Sequence, residues 1–310
     1  MKNYDNINWE NLAKEYLETG ISLTKMSKKY EIGRWTLTDR FKKLGIDIVN
    51  RQNELKFDNT VFDSIDSEEK AYWLGFIYAD GYIAFQKEGE KSNYDFELSL
   101  KGTDKEHLEK FNKFMKHKDK NHVKLGKTKC GETICERCRW IISNKHLWET
   151  LNSYGCTPRK SLTLQFPSKE IFKDISLIKD FIRGYFDGDG SFSRSLHRTI
   201  VSPHIQILGT PEFLDKIEEY SNIYGRRGKD KRWKNNTEYI EFHLKESIEF
   251  INYIYNNCNI YLDRKYKLYQ FFKQGSRSLQ EWNELLQTEN GEVCDDNPVL
   301  SSEIKESEPV

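Results

Sequence analysis

Apolar residues in the first fifty positions recur at helical spacing. Trp9, Leu12, Ala13, Tyr16 and Leu17 are spaced 3, 1, 3 and 1. That spacing predicts an amphipathic helix from Trp9 to Glu18, stopped by Gly20. Leu23 to Tyr30 forms a second, shorter helix with Met26 and Tyr30 four apart, and Glu31-Ile32-Gly33 reads as a turn. Leu37, Phe41 and Leu44 then share one face of a third helix, Arg34 to Leu44, closed by Gly45. Two helices joined by a short turn containing glycine, the second one basic, match a helix-turn-helix. Residues 1–50 are therefore expected to be a small all-α, DNA-binding domain.

Residues 51–66 read as a polar linker. Beyond them the pattern repeats itself, which has to be settled before any fold is assigned. Tyr72 to Gly81 reads YWLGFIYADG, and Phe181 to Gly190 reads FIRGYFDGDG. Both are apolar helical runs with small residues four apart: Gly75 and Ala79 in the first, Gly184 and Gly188 in the second. Each ends in one aspartate, Asp80 or Asp189, followed by glycine. Asp66 or Ser67 is expected to cap the first motif helix and Ser176 the second.

The likeness continues downstream. LSLKGTDKEHLEKF (Leu98 to Phe111) and IQILGTPEFLDKI (Ile205 to Ile217) each read as a strand, a Gly-Thr turn and a helix. A basic stretch follows in each copy, then a strand (Trp140 to Ser143; Tyr239 to Leu244) and a helix (Lys145 to Tyr154; Glu246 to Asn256). An Arg-Lys pair closes each copy, Arg159-Lys160 and Arg264-Lys265. Asp80 to Lys160 spans 80 positions and Asp189 to Lys265 spans 76. The pattern predicts an α+β fold of two pseudo-two-fold repeats, 67–167 and 168–274, each with an antiparallel sheet.

Composition changes this picture in one respect. The chain has 49 basic and 49 acidic residues, a formal net charge of zero. From Ser276 to Val310, however, there are nine acids and two bases, which leaves the rest of the chain at +7. An acidic segment, 275–310, is expected to be a tail with one or two helical turns at Trp282 to Leu286 and disorder beyond them, and the basic body favours a polyanionic partner. No run approaches 18 apolar residues, so no membrane span is expected. The start of the chain lacks an apolar signal core, so secretion is not expected. A cytoplasmic, organellar or phage-encoded setting with access to DNA fits. Six cysteines do not form a disulfide framework.

The paired acids are the candidate chemistry. Glycine inside a helix costs about 1 kcal/mol relative to alanine, and close helix-helix approach is the compensation that small residues four apart allow. Packing through those faces would bring Asp80 and Asp189 to the same end of a helix pair. Both would sit at negative helix C-termini. At roughly 6 Å and an effective dielectric of about 20, they would repel by about 3 kcal/mol. A hard divalent cation reverses that penalty and suits metal-assisted phosphodiester hydrolysis.

WLGFIYADG and IRGYFDGDG resemble the paired signature of the LAGLIDADG homing endonucleases in their single-chain, two-repeat form. The resemblance covers about residues 67 to 274 and includes the GCTPRKSLTLQFP and YLDRKYKLYQFF segments. It implies αββαββα half-domains, saddle-shaped sheets over the DNA major groove, and Mg²⁺-dependent cleavage of both strands, with Mn²⁺ as a substitute. The implied partner is double-stranded DNA, with no obligate protein partner, and the implied state is a monomer. The family's acid maps to Asp80 and Asp189, and backbone carbonyls of Ala79 and Gly188 are further metal ligands to consider. The aspartate often found two positions earlier maps to Tyr78 in the first copy and Asp187 in the second. The family's late basic residue maps to Lys160 and Lys265, with an implied supporting role at the scissile phosphate or its water.

DNA contacts are expected from Arg34, Arg40, Lys42 and Lys43 in the helical domain. In the repeats they are expected from Lys124, Lys127 and Lys129, and from Arg226, Arg227, Lys229, Lys231, Arg232 and Lys234. Cys130, Cys135 and Cys138 form a C-x₄-C-x₂-C cluster for which a zinc site is conceivable, with free thiols the alternative. His146 and His243 are given no role. Two other readings stay open: a transcription regulator with a catalytically silent LAGLIDADG-like domain, and an intron RNA maturase.

Overall fold

A computed structural model describes residues 7–19, 21–46, 56–85, 93–130, 133–158, 160, 163–229 and 237–288. The expected helix stop at Gly20, linker positions 51–55, Arg159, and the tail from 289 onward lie outside the described residues. The chain divides into two compact units, 1–57 and 58–310.

The first unit holds three helices, α1 (Trp9–Thr19), α2 (Leu23–Tyr30) and α3 (Arg34–Lys43). They enclose Leu12, Ala13, Tyr16, Leu23, Met26, Ile32, Leu37 and Phe41; of the residues picked out by helical spacing, Leu17 and Leu44 are instead exposed. Ser22 caps α2 by accepting from Lys25 N. Glu31 ends it in the left-handed region at φ 53°, which lets the chain reverse into α3.

The second unit is built from two copies of one plan. The first runs α4 (Glu68–Asp80), β1 (Gly81–Ile83), β2 (Asp95–Lys101), α5 (Lys105–Phe114), β3 (Lys124–Cys130), β4 (Thr133–Ser143) and α6 (Lys145–Ser153). The second runs α7 (Ile178–Asp189), β5 (Gly190–His197), β6 (Ile200–Gly209), α8 (Pro211–Ser221), β7 (Arg226–Gly228), β8 (Glu238–His243) and α9 (Leu244–Tyr255). Helices α10 (Asp263–Phe272) and α11 (Leu279–Thr288) follow, separated by the short strand β9 (Arg277–Ser278). Each copy is αββαββα.

Both sheets are antiparallel and share one strand order, β1-β2-β4-β3 and β5-β6-β8-β7. Their registers match at the start: Gly81 faces Leu98, and Gly190 faces Ile207. Side chains alternate across a strand. Phe96, Leu98 and Leu100 of β2 and Ile205 and Ile207 of β6 are buried, as are Trp140 of β4 and Ile240 and Phe242 of β8. The intervening residues face the open side of each sheet. The two motif helices are buried along most of their length.

Three expectations need correction. Asp58 to Asp66 is not a polar linker: Val61, Phe62 and Ile65 are buried, and Ile65 forms a parallel bridge with Phe172. Their apolar spacing was hidden among Asp, Asn, Ser and Thr. Ser176 does not cap α7. Asp174 accepts from Ser176 N at 2.7 Å, opening a 3-10 turn that runs into α7, because a carboxylate two positions earlier is the stronger acceptor. Structure in residues 277–288 goes beyond the one or two helical turns expected at Trp282 to Leu286. Strand β9 pairs with β6, and Trp282, 1% exposed, packs on Phe271 and Phe272.

Candidate active site and nucleic-acid interface

The two motif helices meet through glycine, as their small residues suggested. A Cβ placed on Gly75 would fall inside the carbonyl of Phe181 and 2.9 Å from Tyr185 N. A Cβ on Gly184 would fall inside the carbonyl of Tyr72 and 2.9 Å from Phe76 N. The contact is reciprocal and is made backbone to backbone. One turn further on, a Cβ on Gly188 would overlap the side chain of Ala79 and lie 3.2 Å from Asp80 Oδ2.

Each helix ends at its aspartate because the next glycine leaves helical geometry. Gly81 has φ −76°, ψ 143° and Gly190 φ −75°, ψ 145°, and their N–H groups close the last turn on Ile77 O and Phe186 O. The chain then enters β1 or β5 directly. Asp80 and Asp189 are thus the final residues of paired helices and reach the same end of the pair. Asp80 is half-buried and Asp189 exposed.

Electrostatics at this end oppose two carboxylates. Desolvation raises the pKa of Asp80 first and the charge of Asp189 adds to it, bringing it to about 7 against the pull of Lys265, Lys160 and Arg264. Asp189 is also raised, chiefly by desolvation, with Lys160 and Lys265 opposing. Its side chain reaches solvent, but the two helix ends displace much of the water around it.

Lys160 and Lys265 stand beside the acids, yet each amine is occupied. Lys160 Nζ donates to Ala79 O at 3.1 Å and to Gly81 O. Lys265, 1% exposed, donates to Phe186 O at 2.7 Å, to Asp187 O at 3.1 Å and to Gly190 O. Both lysines cap helix C-termini, where a cation offsets the macrodipole. Burial lowers the pKa of Lys160, partly countered by Cys156 and the two acids. Of the two backbone carbonyls considered as metal ligands, that of Ala79 is engaged by Lys160.

Two buried networks beside the helix pair went unread in the sequence. Asp187 accepts from Tyr72 Oη at 2.8 Å, from Leu262 N at 2.8 Å and from Tyr255 Oη. At the matching position Tyr78 instead donates to Tyr154 O. The halves thus solve one junction differently, with an acid in one and a phenol in the other. Arg183 is fully buried, with Nη1 on Asp180 at 2.7 Å, Nη2 on Glu68 at 2.8 Å and Nε on Ile260 O at 2.9 Å. Two charged residues inside an apolar helix were the available signal. Arg183→Met is expected to destabilise the second unit by about 3–5 kcal/mol, because Asp180 is left buried without its partner. A urea midpoint unchanged from the parent would refute this.

The open sheet faces sort the basic residues. Lys124 pairs in register with Arg139 and Gly126 with Arg137, so Lys124, Arg137 and Arg139 share the open face. Lys127 and Lys129 alternate to the other side of β3. Arg226 pairs with Glu241 on the open face of the second sheet. Arg227 points the other way, with Nη2 on Asp215 at 2.7 Å and Glu218 at 2.8 Å. Arg227 is therefore a structural cation tied to α8, a correction to its expected DNA contact. Lys229 is exposed and pairs with Glu238 at 3.2 Å, while Lys231, Arg232 and Lys234 lie outside the described residues. Arg137 and Arg139 were missed because register, which decides the face, is not visible in sequence. In the first unit Arg34, Arg40, Lys42 and Lys43 are exposed on α3.

Cys135 and Cys138 lie on opposite faces of β4. Cys138 is buried on the core face of β4 with Sγ on Lys101 O at 3.2 Å. Cys135, three positions earlier on the same strand, takes the opposite face. They cannot share one zinc ion, and the free-thiol alternative holds for this pair.

The site and its scaffold define a two-fold α+β protein with one carboxylate per half at a shared helix end. Neither a family model nor a curated protein matches the sequence. Among solved structures the chain is similar to the meganuclease I-SmaMI bound to uncleaveable DNA, at 14% identity and TM-score 0.44, covering 73% of this chain and 99% of that one. It is similar to I-SmaMI bound to uncleaved target DNA with calcium, at 16% identity and TM-score 0.43, covering 71% and 94%. It is also similar to the LAGLIDADG homing endonuclease I-GzeII in complex with its DNA target, at 14% identity and TM-score 0.43, covering 71% and 91%. Among the described residues no helix is long and apolar enough to cross a membrane.

Proposed function

We propose that this chain is a LAGLIDADG-type, site-specific endonuclease that hydrolyses one phosphodiester bond in each strand of duplex DNA. The observation that carries the reading is the backbone contact through Gly75 and Gly184, which delivers Asp80 and Asp189 together to one end of the helix pair. Both carboxylates have raised pKa values there. A structural protein has no use for that repulsion.

The donor set fits a hard divalent cation. Asp80 and Asp189 would hold Mg²⁺, or Mn²⁺ in its place, with the carbonyl of Gly188 as a further oxygen. Such an ion supplies charge stabilisation at phosphate oxygens and a more acidic bound water. Lys160 and Lys265 hold the helix-end carbonyls and so fix where each carboxylate points. They also put positive charge beside the two carboxylates, where it would support a bound phosphate. The repeats 67–167 and 168–274 would each serve one strand, acting within a monomer. The open faces carrying Lys124, Arg137, Arg139 and Arg226 would lie against DNA, and the three-helix unit would add contacts through Arg34, Arg40, Lys42 and Lys43.

The test is cleavage of a duplex library with Mg²⁺, with sequencing of the cut ends. Sequence-specific binding without scission would sink the enzyme reading and leave a transcription regulator. Preference for a structured intron RNA would leave a maturase.

The two neighbouring arginines separate the faces. Arg226→Ala is expected to weaken DNA binding and to reduce the slope of log affinity against log salt by about 1. Arg227→Ala should leave that slope unchanged and lower the melting temperature instead, since Glu218 and Asp215 lose their partner. A salt titration of both variants decides the assignment.

A further inference from the structure

The open face of the second sheet carries a group of side chains that the paired acids do not use. His204 of β6 and His243 of β8 are directly opposite in register, with ring centroids 4.7 Å apart. Glu241 lies two positions before His243 on the same face of β8. Ligand atoms of His204, Glu241 and His243 all lie within 4.8 Å of one another.

The hydrogen bonds around this group leave its lone pairs free. Ser193 Oγ lies 3.1 Å from His204 Nδ1, and in the tautomer with the ring proton on Nδ1 it would accept there, leaving the lone pair on Nε2. His204 Nε2 is a buried atom with no hydrogen-bond partner. Glu241 Oε1 accepts from Gln206 Nε2 at 3.2 Å, while Oε2 lies 3.6 Å from His243 Nε2. Ser193 and Gln206 thus orient two of the three donors from behind, the role that outer-shell partners play in metal sites.

We infer that His204, Glu241 and His243 form a binding site for a divalent transition-metal ion of the zinc type on the open face of the second sheet. Two imidazoles and one carboxylate suit Zn²⁺, Co²⁺ or Ni²⁺ rather than Mg²⁺ or Ca²⁺, which prefer all-oxygen sets. Two ligands about 2.0–2.1 Å from a tetrahedral ion lie about 3.3 Å apart. The Glu241–His243 separation of 3.6 Å is already close to that. The His243 side chain is 51% exposed, and a turn of its ring toward His204 Nε2 would close the remaining gap. Three protein donors leave one position open to water or to an outside ligand, as in sites that exchange ligands. The first sheet has no such group among the described residues, so the site belongs to one half only. The inference does not depend on the nuclease reading.

The experiment is a Zn²⁺ titration of the tag-free full chain by calorimetry and thermal melting, with Co²⁺ absorption as the spectroscopic check of imidazole ligation. The parent is expected to bind one equivalent in the micromolar range, and saturating Zn²⁺ to raise the melting temperature by about 5 °C. His243→Ala, at an exposed position, and His204→Gln should each abolish the equivalent. Glu241→Gln should weaken it about 10- to 100-fold. The doubly substituted Asp80→Asn, Asp189→Asn protein should retain it. The inference is overturned if the parent takes up no Zn²⁺. It is equally overturned if His243→Ala and His204→Gln bind as the parent does, or if Cys135→Ser alone removes the ion.

Discussion

Asp80→Asn and Asp189→Asn are each expected to reduce double-strand cleavage by about 10³-fold or more, while making the metal-free protein more stable at pH 8. The loss comes from removing one of the two oxygen donors that would hold the cation, a contribution of several kcal/mol to the transition state. The gain in stability comes from linkage. Asp80 is raised from 3.8 to about 7 by desolvation and by the neighbouring charge of Asp189. A carboxyl group with a folded pKa above its unfolded value favours the fold below pH 4. It loses that advantage as pH rises through the folded pKa, because the unfolded chain releases the proton more readily. An asparagine carries no such charge. The variant should therefore melt about 2–4 °C higher than the parent at pH 8 in chelator, and the gap should shrink toward pH 4. Added Mg²⁺ should raise the melting temperature of the parent and not of the double variant. Intact cleavage in both single variants would dismiss the site. A melting gap independent of pH would dismiss its electrostatic account.

The second large effect lies in the glycine contact. Gly184→Ala is expected to destabilise the second unit by about 3 kcal/mol or more, at the upper end for overpacking, because the added methyl meets the Tyr72 carbonyl rather than a movable side chain. Gly75→Ala should do the same against Phe181. The double variant should lose less than the sum, since once the helices have parted for one methyl the second finds more space. Gly126→Ala is the control: nothing lies within 4 Å of a Cβ there, and the change should stay within about 1 kcal/mol. Urea midpoints of soluble, refolded protein measure all four. If Gly184→Ala unfolds at the parent's midpoint, the helices do not meet as described.

The sequence disclosed most of this scaffold, for a reason particular to it. A repeated motif constrains the reading twice, so the Gly75–Ala79 and Gly184–Gly188 spacings, the aspartate-glycine ends and the late lysines support one another. The αββαββα order and the shared helix end follow from those marks. Lys160 and Lys265 show where the reading stopped. The family resemblance implied a place near the acids, but three-dimensional packing decided that their amines hold helix-end carbonyls. Register was equally out of reach. Arg226 and Arg227 are adjacent and chemically alike, and only the pairing of β7 with β8 separates an open-face cation from one bound to α8. The Asp187 and Arg183 networks depend on partners more than seventy positions away, Leu262 and Ile260 among them. The charges of Asp180 and Arg183 inside an apolar helix could flag a network but not its distant partners. The same holds for His204 and His243, which only cross-strand pairing brings face to face.

The helix pair also sets a schedule for activity. Asp80 and Asp189 are 109 positions apart in the chain, and the contact that aligns them needs both motif helices complete. Domains fold as units during synthesis, from the N-terminus onward. A ribosome-bound chain ending before α7 would therefore hold one acid on an unpartnered helix, with its glycine groove open and no second carboxylate. Lys265, which pins the other helix end, emerges later still. On the proposed function, a chain without its second motif helix would be unable to cut, and competence would arrive only once α7 and Lys265 had been made. A chain that attacks DNA would then be harmless until both halves of its site exist.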